Sequence, residues 1–323
     1  MKFAQILTVA SGSLHTALAL PSTLPRQQTC TSPKLRKEWS QATAGERSSY
    51  IQAVLCLATK PSTLGLPSPA TVYDDFAWAH ATLNNEIHGV PAFLPWHRYF
   101  VHVYEDALHD CGYTGNALYW DWAADSGAPA SADVWDPTTG FGGNGNQTTP
   151  SQFGTVCVLD GPFTVLNPVY WNSDVRPHCL QRSFAEPSGD PPVEMFGFNY
   201  TPDIVAQVSS ETVYDQFNNQ LENGPHAAVH QGVAGGFRGL GDLGPVSSPN
   251  DPIFFLHHTN VDRIWWQWQQ QDPQTRTFAY GGSIGENGPT ADLDDILPMQ
   301  GLAPDSVVRE YMDVNSAHLC YTY

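Results

Sequence analysis

The 323-residue sequence is poor in positive charge, with 14 Lys and Arg residues against 32 Asp and Glu residues and a formal net charge of −18. A field of that sign repels phosphate backbones and anionic surfaces, so we expect neither nucleic acid nor a membrane as a partner. Beyond its first residues, the chain also lacks any run approaching the roughly 18 apolar residues of a membrane-spanning helix. The composition therefore favours a protein without a membrane anchor.

Cysteine is scarce and scattered, and no two of the six cysteines are close enough in sequence to form a metal-binding pair. The even number is consistent with disulfide bonds formed in an oxidising compartment. Many pairings are possible, and the residues alone do not select one. The six positions are Cys30, Cys56, Cys111, Cys157, Cys179 and Cys320.

The N-terminal residues have the features of a secretory signal peptide. Residues 1–19 begin with Lys2, continue through a mostly apolar run and end at Ala19 in an A-x-A cleavage pattern. We expect removal after Ala19 and a secreted, extracellular protein. Two glycosylation sequons, at Asn146 and Asn199, agree with that expectation.

Hydrophobic residues make up 41% of the chain and aromatic residues 12%, which suffices for a sizeable core in one large domain or two small ones. Ser32-Pro33 indicates a helix start, and Thr43 with Glu46 forms a capping box before a helical pattern. Turn residues across 127–203 predict loops and irregular structure with a small strand or two. No linker to a separate domain is visible there.

Three histidines fall in one stretch, FAWAHATLNNEIHGVPAFLPWHRYFVHVYE, residues 76–105. His80, His88 and His97 are eight and nine residues apart, too far for one helical face. The spacing predicts a helix, a loop and a second helix that begins near Pro95 and brings three imidazoles together. A lone histidine beside an apolar face is commonly a core residue, so this stretch alone does not establish a metal site.

A second group of histidines lies in GPHAAVH and in NDPIFFLHHTNVDRIWWQW. His226 and His230 are one helical turn apart and share a face. Asp251-Pro252 predicts the start of a helix that carries His257 and His258. Two groups of imidazoles predict a pair of all-nitrogen metal sites, for which zinc, copper, iron and nickel are all suitable.

These motifs, H…H…PWHRYF and HxxxH…DPxFxLHHxxVDRxW in this order, resemble the two copper-binding segments of the tyrosinase and catechol oxidase family, the type 3 dicopper proteins. The family's YxY element is present as Tyr321, Thr322 and Tyr323. The resemblance covers essentially the whole chain after the signal segment and is close to the short fungal catechol oxidases. It implies two copper ions that bind dioxygen. The implied ligands are His80, His88 and His97 for copper A, and His226, His230 and His258 for copper B.

The resemblance also implies the fold. We expect a mainly α tyrosinase-like domain over residues 20–323, with a central four-helix bundle, two helices from each histidine segment, long loops and minor β-structure. Arg36 and Trp39 should pack near the chain's C-terminal end. The resemblance does not include the C-terminal shielding domain of longer proenzymes. We therefore expect the protein to be active without proteolysis. The implied disulfides are Cys30–Cys320, Cys56–Cys111 and Cys157–Cys179.

Several residues around the metal ligands acquire expected roles. By resemblance, Glu222 holds a water that takes a phenolic proton, Gln231 contacts the substrate, and Pro245 or Val246 guards the entrance. Asp262 shares a helix face with His258, whereas His257 faces elsewhere. A ligand imidazole usually has an acceptor for its other nitrogen, so we expect Asp262 to orient a copper B histidine, which favours His258 over His257 as the ligand.

Two departures from relatives bear on activity. Glu86 stands where long fungal enzymes carry a cysteine bonded to the second copper A histidine, so His88 should be free of a thioether. Ala227 follows the first copper B histidine, where several monophenol-hydroxylating members have asparagine, which weakens the case for strong tyrosinase activity.

We therefore expect a catechol oxidase that couples oxidation of o-diphenols to o-quinones with reduction of O2 to water. The alternatives are an o-aminophenol oxidase, a tyrosinase with weak monophenol hydroxylation, a haemocyanin-like O2 carrier and a zinc hydrolase. The expected partners are O2 and small phenolic substrates, and the expected assembly is a monomer or a weak homo-oligomer.

Overall fold

The computed structural model describes residues 30–146, 156–236, 239–285 and 288–323, so the predicted signal segment 1–19 lies outside the described residues. The described part is mainly helical, as the sequence predicts, and no helix in it is long and apolar enough to cross a membrane. Its α-helices are α1 (Ala44–Leu57), α2 (Val72–Ile87), α3 (Phe93–His109), α4 (Pro202–Ser209), α5 (Tyr214–Leu221), α6 (Ala227–Ala234), α7 (Ile253–Gln271) and α8 (Pro273–Arg276).

Capping boxes start the first two helices. At α1, the Glu46 amide donates to Thr43 Oγ1 at 3.2 Å and the Thr43 amide donates to Glu46 Oε2 at 2.8 Å, which confirms the predicted box. At α2, the Thr71 amide donates to the Asp74 carboxylate at 2.8 Å. These contacts satisfy amides that the first helical turn leaves without partners.

The core is built around helices from the two histidine segments. Helices α2 and α3 come from the first segment, and α6 and α7 come from the second. Aromatic side chains fill the space between α3 and α7: the Tyr104 and Phe255 rings stack with parallel planes, and Phe100 also stacks on Phe255 with centroids 5.7 Å apart. Phe76 of α2 packs edge-on against Phe255 at 5.8 Å. Three of the four predicted core helices, α2, α3 and α7, are thus held by interlocking rings.

The β-structure is minor, and each strand has two residues. Four two-stranded sheets pair β1 with β8, β2 with β3, β4 with β5, and β6 with β7. The strands are β1 (Lys34–Leu35), β2 (Lys37–Glu38), β3 (Leu118–Tyr119), β4 (Tyr170–Trp171), β5 (Asp174–Val175), β6 (Ile296–Leu297), β7 (Ser306–Val307) and β8 (Tyr321–Thr322). The prediction that a helix starts at Ser32-Pro33 is wrong, because the residues that follow form β1, which pairs with the C-terminal strand β8.

Three disulfides tie distant parts of the chain together: Cys30–Cys320, Cys56–Cys111 and Cys157–Cys179. They are the pairs that the family resemblance implies. The first joins residues 290 positions apart and lies beside the pairing of β1 with β8. The two ends of the described chain are therefore fixed to one another covalently and by backbone hydrogen bonds.

A buried ionic cluster lies where the chain ends meet α3 and α7. Asp262 accepts hydrogen bonds from Arg98 Nε at 2.5 Å and from Arg36 at 3.2 Å. The hydroxyls of Tyr321 and Tyr323 each donate to Asp262 Oδ2 at 2.5 Å. Burial by itself would raise the pKa of the Asp262 carboxyl, but the two guanidinium groups outweigh it and hold that pKa below its usual value.

This cluster corrects one expectation and confirms another. The prediction that Asp262 orients a copper B histidine is wrong, because both of its carboxylate oxygens are engaged by Arg36, Arg98 and the tyrosines of the YxY element. The predicted position of Arg36 near the chain's end is confirmed, and its other branch pairs with Glu105 at 2.7 Å. Asp262 therefore fastens the chain ends to two core helices.

We predict that Asp262→Asn destabilises the fold by about 3–5 kcal/mol, since it leaves two buried guanidinium groups short of a counter-charge. Chemical denaturation at neutral pH measures the loss. The control is Asp294→Asn, which removes an exposed pair with Arg309 and should cost less than about 1 kcal/mol. Equal losses in the two variants would contradict the assignment.

The same variant has a predictable pH dependence. Because the pKa of Asp262 is lowered in the folded protein, its stabilisation is present above the unfolded-state pKa and is lost as pH falls through the folded pKa. The stability gap between wild type and Asp262→Asn should therefore stay constant from about pH 5 to 8 and shrink in more acidic solution.

Candidate metal centre

The first histidine cluster is formed where α2 ends and α3 begins. His80 lies inside α2, His88 is the residue that caps its C-terminus, and His97 lies in the first half of α3. Helix α3 begins at Phe93, two residues earlier than Pro95 suggested. A short turn between the helices reverses the chain, so three ligand atoms from these histidines lie within 4.8 Å of one another. The predicted convergence of His80, His88 and His97 is present.

Backbone carbonyls orient these three rings. The Nδ1 atoms contact Val246 O at 2.6 Å for His80, Asn84 O at 3.2 Å for His88 and Phe93 O at 2.8 Å for His97. A carbonyl only accepts, so each Nδ1 carries the hydrogen and each Nε2 keeps a lone pair. All three Nε2 atoms are therefore available as ligands.

The second cluster is formed by the end of a π-helical turn, by α6 and by α7. His226 ends the turn Glu222–His226, and His230 follows one turn later in α6. Their Nδ1 atoms contact Glu222 O at 2.9 Å and Leu243 O at 2.6 Å. His258 of α7 places its Nε2 3.3 Å from Nε2 of His230. The predicted ligands His226, His230 and His258 are thus also brought together.

The distances between ring nitrogens fit a metal ion. His80 and His97 bring their Nε2 atoms within 3.4 Å, and the corresponding distance between His230 and His258 is 3.3 Å. The Nδ1 hydrogens of His80 and His97 point to carbonyls, so their Nε2 lone pairs face each other and repel at this separation unless a cation lies between them. Two nitrogens bound to one ion at ~2.0–2.1 Å with tetrahedral angles would be about 3.3 Å apart. Each cluster therefore has the donor chemistry and the spacing of an imidazole-bound metal site.

Burial keeps the imidazoles neutral. It lowers the pKa of both His88 and His230 to about 4. In each ring, a hydrogen bond to a backbone carbonyl opposes this decrease. The pKa values of His80, His97, His226 and His258 are lowered well below the usual value by burial and by neighbouring imidazoles. Neutral rings are the form that binds metal, so little proton release accompanies binding at neutral pH.

The two clusters are immediate neighbours. His97 of the first and His258 of the second stack face to face, with centroids 4.3 Å apart and planes at 12°. Phe93 lies against His97 at 4.8 Å and against His226 at 4.8 Å, which closes one side of the space between the clusters. This arrangement suits a pair of adjacent metal ions rather than two independent sites.

Glu222 lies buried at the start of the π-helical turn. Its Oε1 accepts a hydrogen bond from the Gly89 amide at 2.7 Å, next to His88. Its Oε2 is buried and has no hydrogen-bond partner among the described residues. Burial raises the pKa of the Glu222 carboxyl to about 7, and the Gly89 amide opposes that rise. A buried carboxyl with one free oxygen is suited to hold a water molecule or a proton.

A cavity of about 190 Å³ opens onto both clusters. His80, His88, His226 and His230 line it, together with the predicted substrate-side residues Ala227, Gln231, Pro245 and Val246. A larger cavity of about 780 Å³ lies on another face of α3 and touches none of the six ligand imidazoles. The small cavity therefore gives access to both histidine clusters.

His88 has no thioether partner, since all six cysteines are in disulfides, so that expectation is confirmed. His257, which we did not expect among the metal ligands, lies with His226, His230 and His258 in the second cluster. Helical spacing alone places His257 and His258 on different faces, and only the position of α6 against α7 brings both into reach.

The family profile described as the common central domain of tyrosinase matches residues 70–271, the span that holds all of these histidines. The chain belongs to the tyrosinase family. It is a tyrosinase-family oxidase, and the family is a dicopper enzyme family, in agreement with two clusters of metal-binding histidines.

Relatives and solved structures support the same assignment. The chain is 39% identical to the tyrosinase-like protein phomQ1 of Diaporthe leptostromiformis, with 94% of this chain and 80% of the relative covered. It is 37% identical to tyrosinase ustQ of Aspergillus flavus, with 98% and 87% covered. The fold resembles a mutant polyphenol oxidase from Thermothelomyces thermophila, with 28% identity, a TM-score of 0.74, and 90% and 88% of the two chains covered.

We predict that His88→Phe lowers the number of bound metal ions from two per chain to about one. His88 is half-buried and contributes one of only three imidazoles in its cluster, so a ring of similar size without a nitrogen should remove the site and keep the packing. Metal content after dialysis measures the change. His102→Phe, which lies on α3 and outside both clusters, is the control and should keep two ions. Two ions in His88→Phe would contradict the assignment.

Proposed function

We propose that this tyrosinase-family oxidase is a secreted catechol oxidase with two copper ions. The observation that carries the proposal is the meeting of two clusters of neutral imidazoles, stacked through His97 and His258, at the base of one small cavity. His80, His88 and His97 would hold copper A, and His226, His230 and His258 would hold copper B. Zinc chemistry is less well supported, because the family is a dicopper family.

The overall reaction balances without any other reactant. Two o-diphenols each lose two electrons and two protons and become o-quinones. One dioxygen takes the four electrons and four protons and becomes two waters. When bound, the copper pair supplies dioxygen binding and electron transfer, while the protein supplies placement and proton handling.

Substrate placement is assigned to the cavity wall. Ala227 and Gln231 stand one residue after His226 and His230, and both half-buried side chains line the cavity with Pro245 and Val246. Val246 is fixed in place, because its carbonyl is the acceptor for His80 Nδ1. The volume of about 190 Å³ is small, which favours a single phenolic ring beside the imidazoles. Pro245 and Val246 would limit what enters.

Proton handling is assigned to Glu222. The Gly89 amide fixes one carboxylate oxygen, and the other is buried without a partner among the described residues. A water held at Oε2 would be close to both histidine segments, because the amide of Gly89 follows His88 and the backbone carbonyl of Glu222 binds His226. A fixed carboxylate and water can take the phenolic proton as the substrate binds.

The preference for diphenols over monophenols comes from Ala227. A methyl group at this position cannot accept or donate a hydrogen bond, so Glu222 and its water would act without a second polar partner. A catechol loses its proton more readily than a monophenol. We therefore propose that o-diphenols are oxidised well and monophenols poorly.

The function is tested by copper content and by initial rates on catechol, o-aminophenol and tyrosine. Two copper ions per chain are expected, with a near-ultraviolet absorption band after addition of hydrogen peroxide. The rate on catechol should exceed that on tyrosine by at least an order of magnitude. Equal rates on tyrosine and catechol would make the protein a tyrosinase, a higher rate on o-aminophenol would make it an aminophenol oxidase, and zinc-loaded protein inert towards dioxygen would refute the oxidase.

We predict that Glu222→Gln lowers kcat/KM for catechol by on the order of 10² and leaves copper content unchanged, since general acid–base groups contribute on this scale. The amide oxygen of Gln can still accept the Gly89 hydrogen bond, but the side chain cannot take a proton. Glu86→Gln is the matched control, because Glu86 is exposed on the last turn of α2. An unchanged rate in Glu222→Gln would remove Glu222 from the mechanism.

The remaining proposals concern the whole protein. We propose one catalytic domain over residues 20–323, a signal peptide over residues 1–19 and a monomer or weak homo-oligomer. Three disulfides support an oxidising compartment. Asn199 is exposed, as glycosylation requires, and Asn146 is half-buried beside residues that are not described.

A further inference from the structure

The connector that leads into α7, residues 239–252, anchors one ligand imidazole of each cluster. The Leu243 carbonyl lies 2.6 Å from Nδ1 of His230, and the Val246 carbonyl lies 2.6 Å from Nδ1 of His80. The connector contains no helix or strand longer than three residues. The position of these two carbonyls therefore depends on what holds the connector against the rest of the protein.

One buried carboxylate ties the connector to a segment about sixty residues earlier. Asp242, directly before Leu243, is fully buried. Its amide donates to the Gln181 carbonyl at 2.9 Å, and the Gln181 amide donates to Asp242 Oδ2 at 2.7 Å. The other carboxylate oxygen, Oδ1, lies 2.8 Å from Nε2 of His178. Both oxygens of Asp242 thus bind the same distant segment.

Both ring nitrogens of His178 face acceptors. Nδ1 lies 2.6 Å from the Arg176 carbonyl, Nε2 faces the Asp242 carboxylate, and the His178 side chain is only 3% exposed. A neutral imidazole has a single N–H, so it could serve only one of these acceptors. The pair therefore holds one proton more than a neutral imidazole and a carboxylate, which makes His178 an imidazolium.

The surroundings favour this charged form. Burial by itself would lower the pKa of His178, but the hydrogen bond and the charge of Asp242 outweigh it and raise that pKa, against the Arg176 guanidinium. Burial raises the pKa of the Asp242 carboxyl, and the bond to His178 opposes the rise. The other charged or titratable groups that face the pair are Asp251, which forms a bidentate ion pair with Arg182, and Tyr73, whose pKa burial raises well above its usual value.

The other side-chain ties of the connector are neutral. The Val246 amide donates to Asn172 Oδ1 at 3.3 Å, and the Asn172 amide donates to Ser247 Oγ at 2.9 Å. Hydrogen bonds between ionised groups are roughly twice as strong as neutral ones. The pair of His178 and Asp242 is therefore the stronger tie, and it acts one residue away from the carbonyl that anchors His230.

We propose that His178 and Asp242 are positioning residues of the metal centre, whose imidazolium–carboxylate pair holds the connector carbonyls against His230 and His80. Neither residue belongs to the two histidine clusters, so both act through the connector backbone. Because the two anchored rings belong to different clusters, loss of the pair weakens both metal sites together. The pKa of His178 is raised in the folded protein, so the pair acts fully below the unfolded-state pKa and is lost as pH rises through the folded one.

This inference rests on the proposed function only in assuming that both clusters bind copper. It is tested with His178→Gln, whose amide can still donate one hydrogen bond to Asp242 but is neutral at every pH. At pH 6, chelator competition should show the dissociation constants of both copper ions raised about 10–100-fold, the usual effect of losing a group that orients metal ligands. The ratio of variant to wild type should fall as pH rises. His318→Gln is the matched control at an exposed histidine and should behave as the wild type.

The pH profile separates positioning by the charged pair from a purely structural role. A ratio that stays constant between pH 6 and 9 would overturn the inference, and so would wild-type affinity in His178→Gln at pH 6. If the wild type bound no copper, the proposed function itself would fail. If the wild type bound two copper ions and only one of them were weakened in His178→Gln, the shared role of the connector would fail.

The protonation state of His178 can be measured on the metal-free wild type, whatever the variant's fold. In protein labelled with 15N-histidine, one ring should keep hydrogens on both nitrogens at pH 7.5, where a free imidazole with a pKa of about 6.5 is mostly neutral. This signal should be missing from the spectrum of folded His178→Gln. Absence of any doubly protonated ring in the wild type at pH 7.5 would overturn the inference.

Discussion

The hydrogen bonds from imidazole Nδ1 atoms to backbone carbonyls are the interactions on which the metal centre depends. They decide which nitrogen of each ring carries the hydrogen and therefore direct the Nε2 lone pairs of five histidines towards two points. Three of the acceptors, the carbonyls of Asn84, Phe93 and Glu222, lie four residues before their histidine. The other two belong to Leu243 and Val246, in the connector before α7, so this loop is part of the site's framework.

The ionic cluster around Asp262 links the two helices that carry His97 and His258. Arg98 follows His97 directly and Asp262 lies one helical turn after His258, so the pair joins the two helices whose histidines stack between the clusters. Arg36, near one end of the chain, and Tyr321 and Tyr323, at the other end, also donate hydrogen bonds to the Asp262 carboxylate. A buried ion pair of this kind adds little net stability compared with apolar packing, but it joins α3 to α7 next to the stacked rings of His97 and His258.

The two metal sites differ in character. The first has three imidazoles, all anchored, and one of them, His88, is half-buried at the cavity. The second has two anchored imidazoles and two without anchors, and it lies beside Glu222. The small side chain of Ala227, which follows His226 directly, also lies at this cluster and lines the cavity.

The sequence by itself determined the chemistry: six histidines in two motifs, the capping box at Thr43, the helical core and, through the family resemblance, the disulfide pairs. Apart from the disulfide pairs, which the family resemblance implied, these features are local or depend on short spacing, which the chain specifies directly. The tertiary structure decided what depends on residues far apart in sequence. It engaged Asp262 with Arg36 and Arg98 instead of a histidine, turned the segment after Ser32 into strands by pairing it with the chain's C-terminus, and brought His257 into the second cluster. Each of these outcomes depends on the packing of α7 or of the chain ends against distant segments, and helical periodicity contains no information about such contacts.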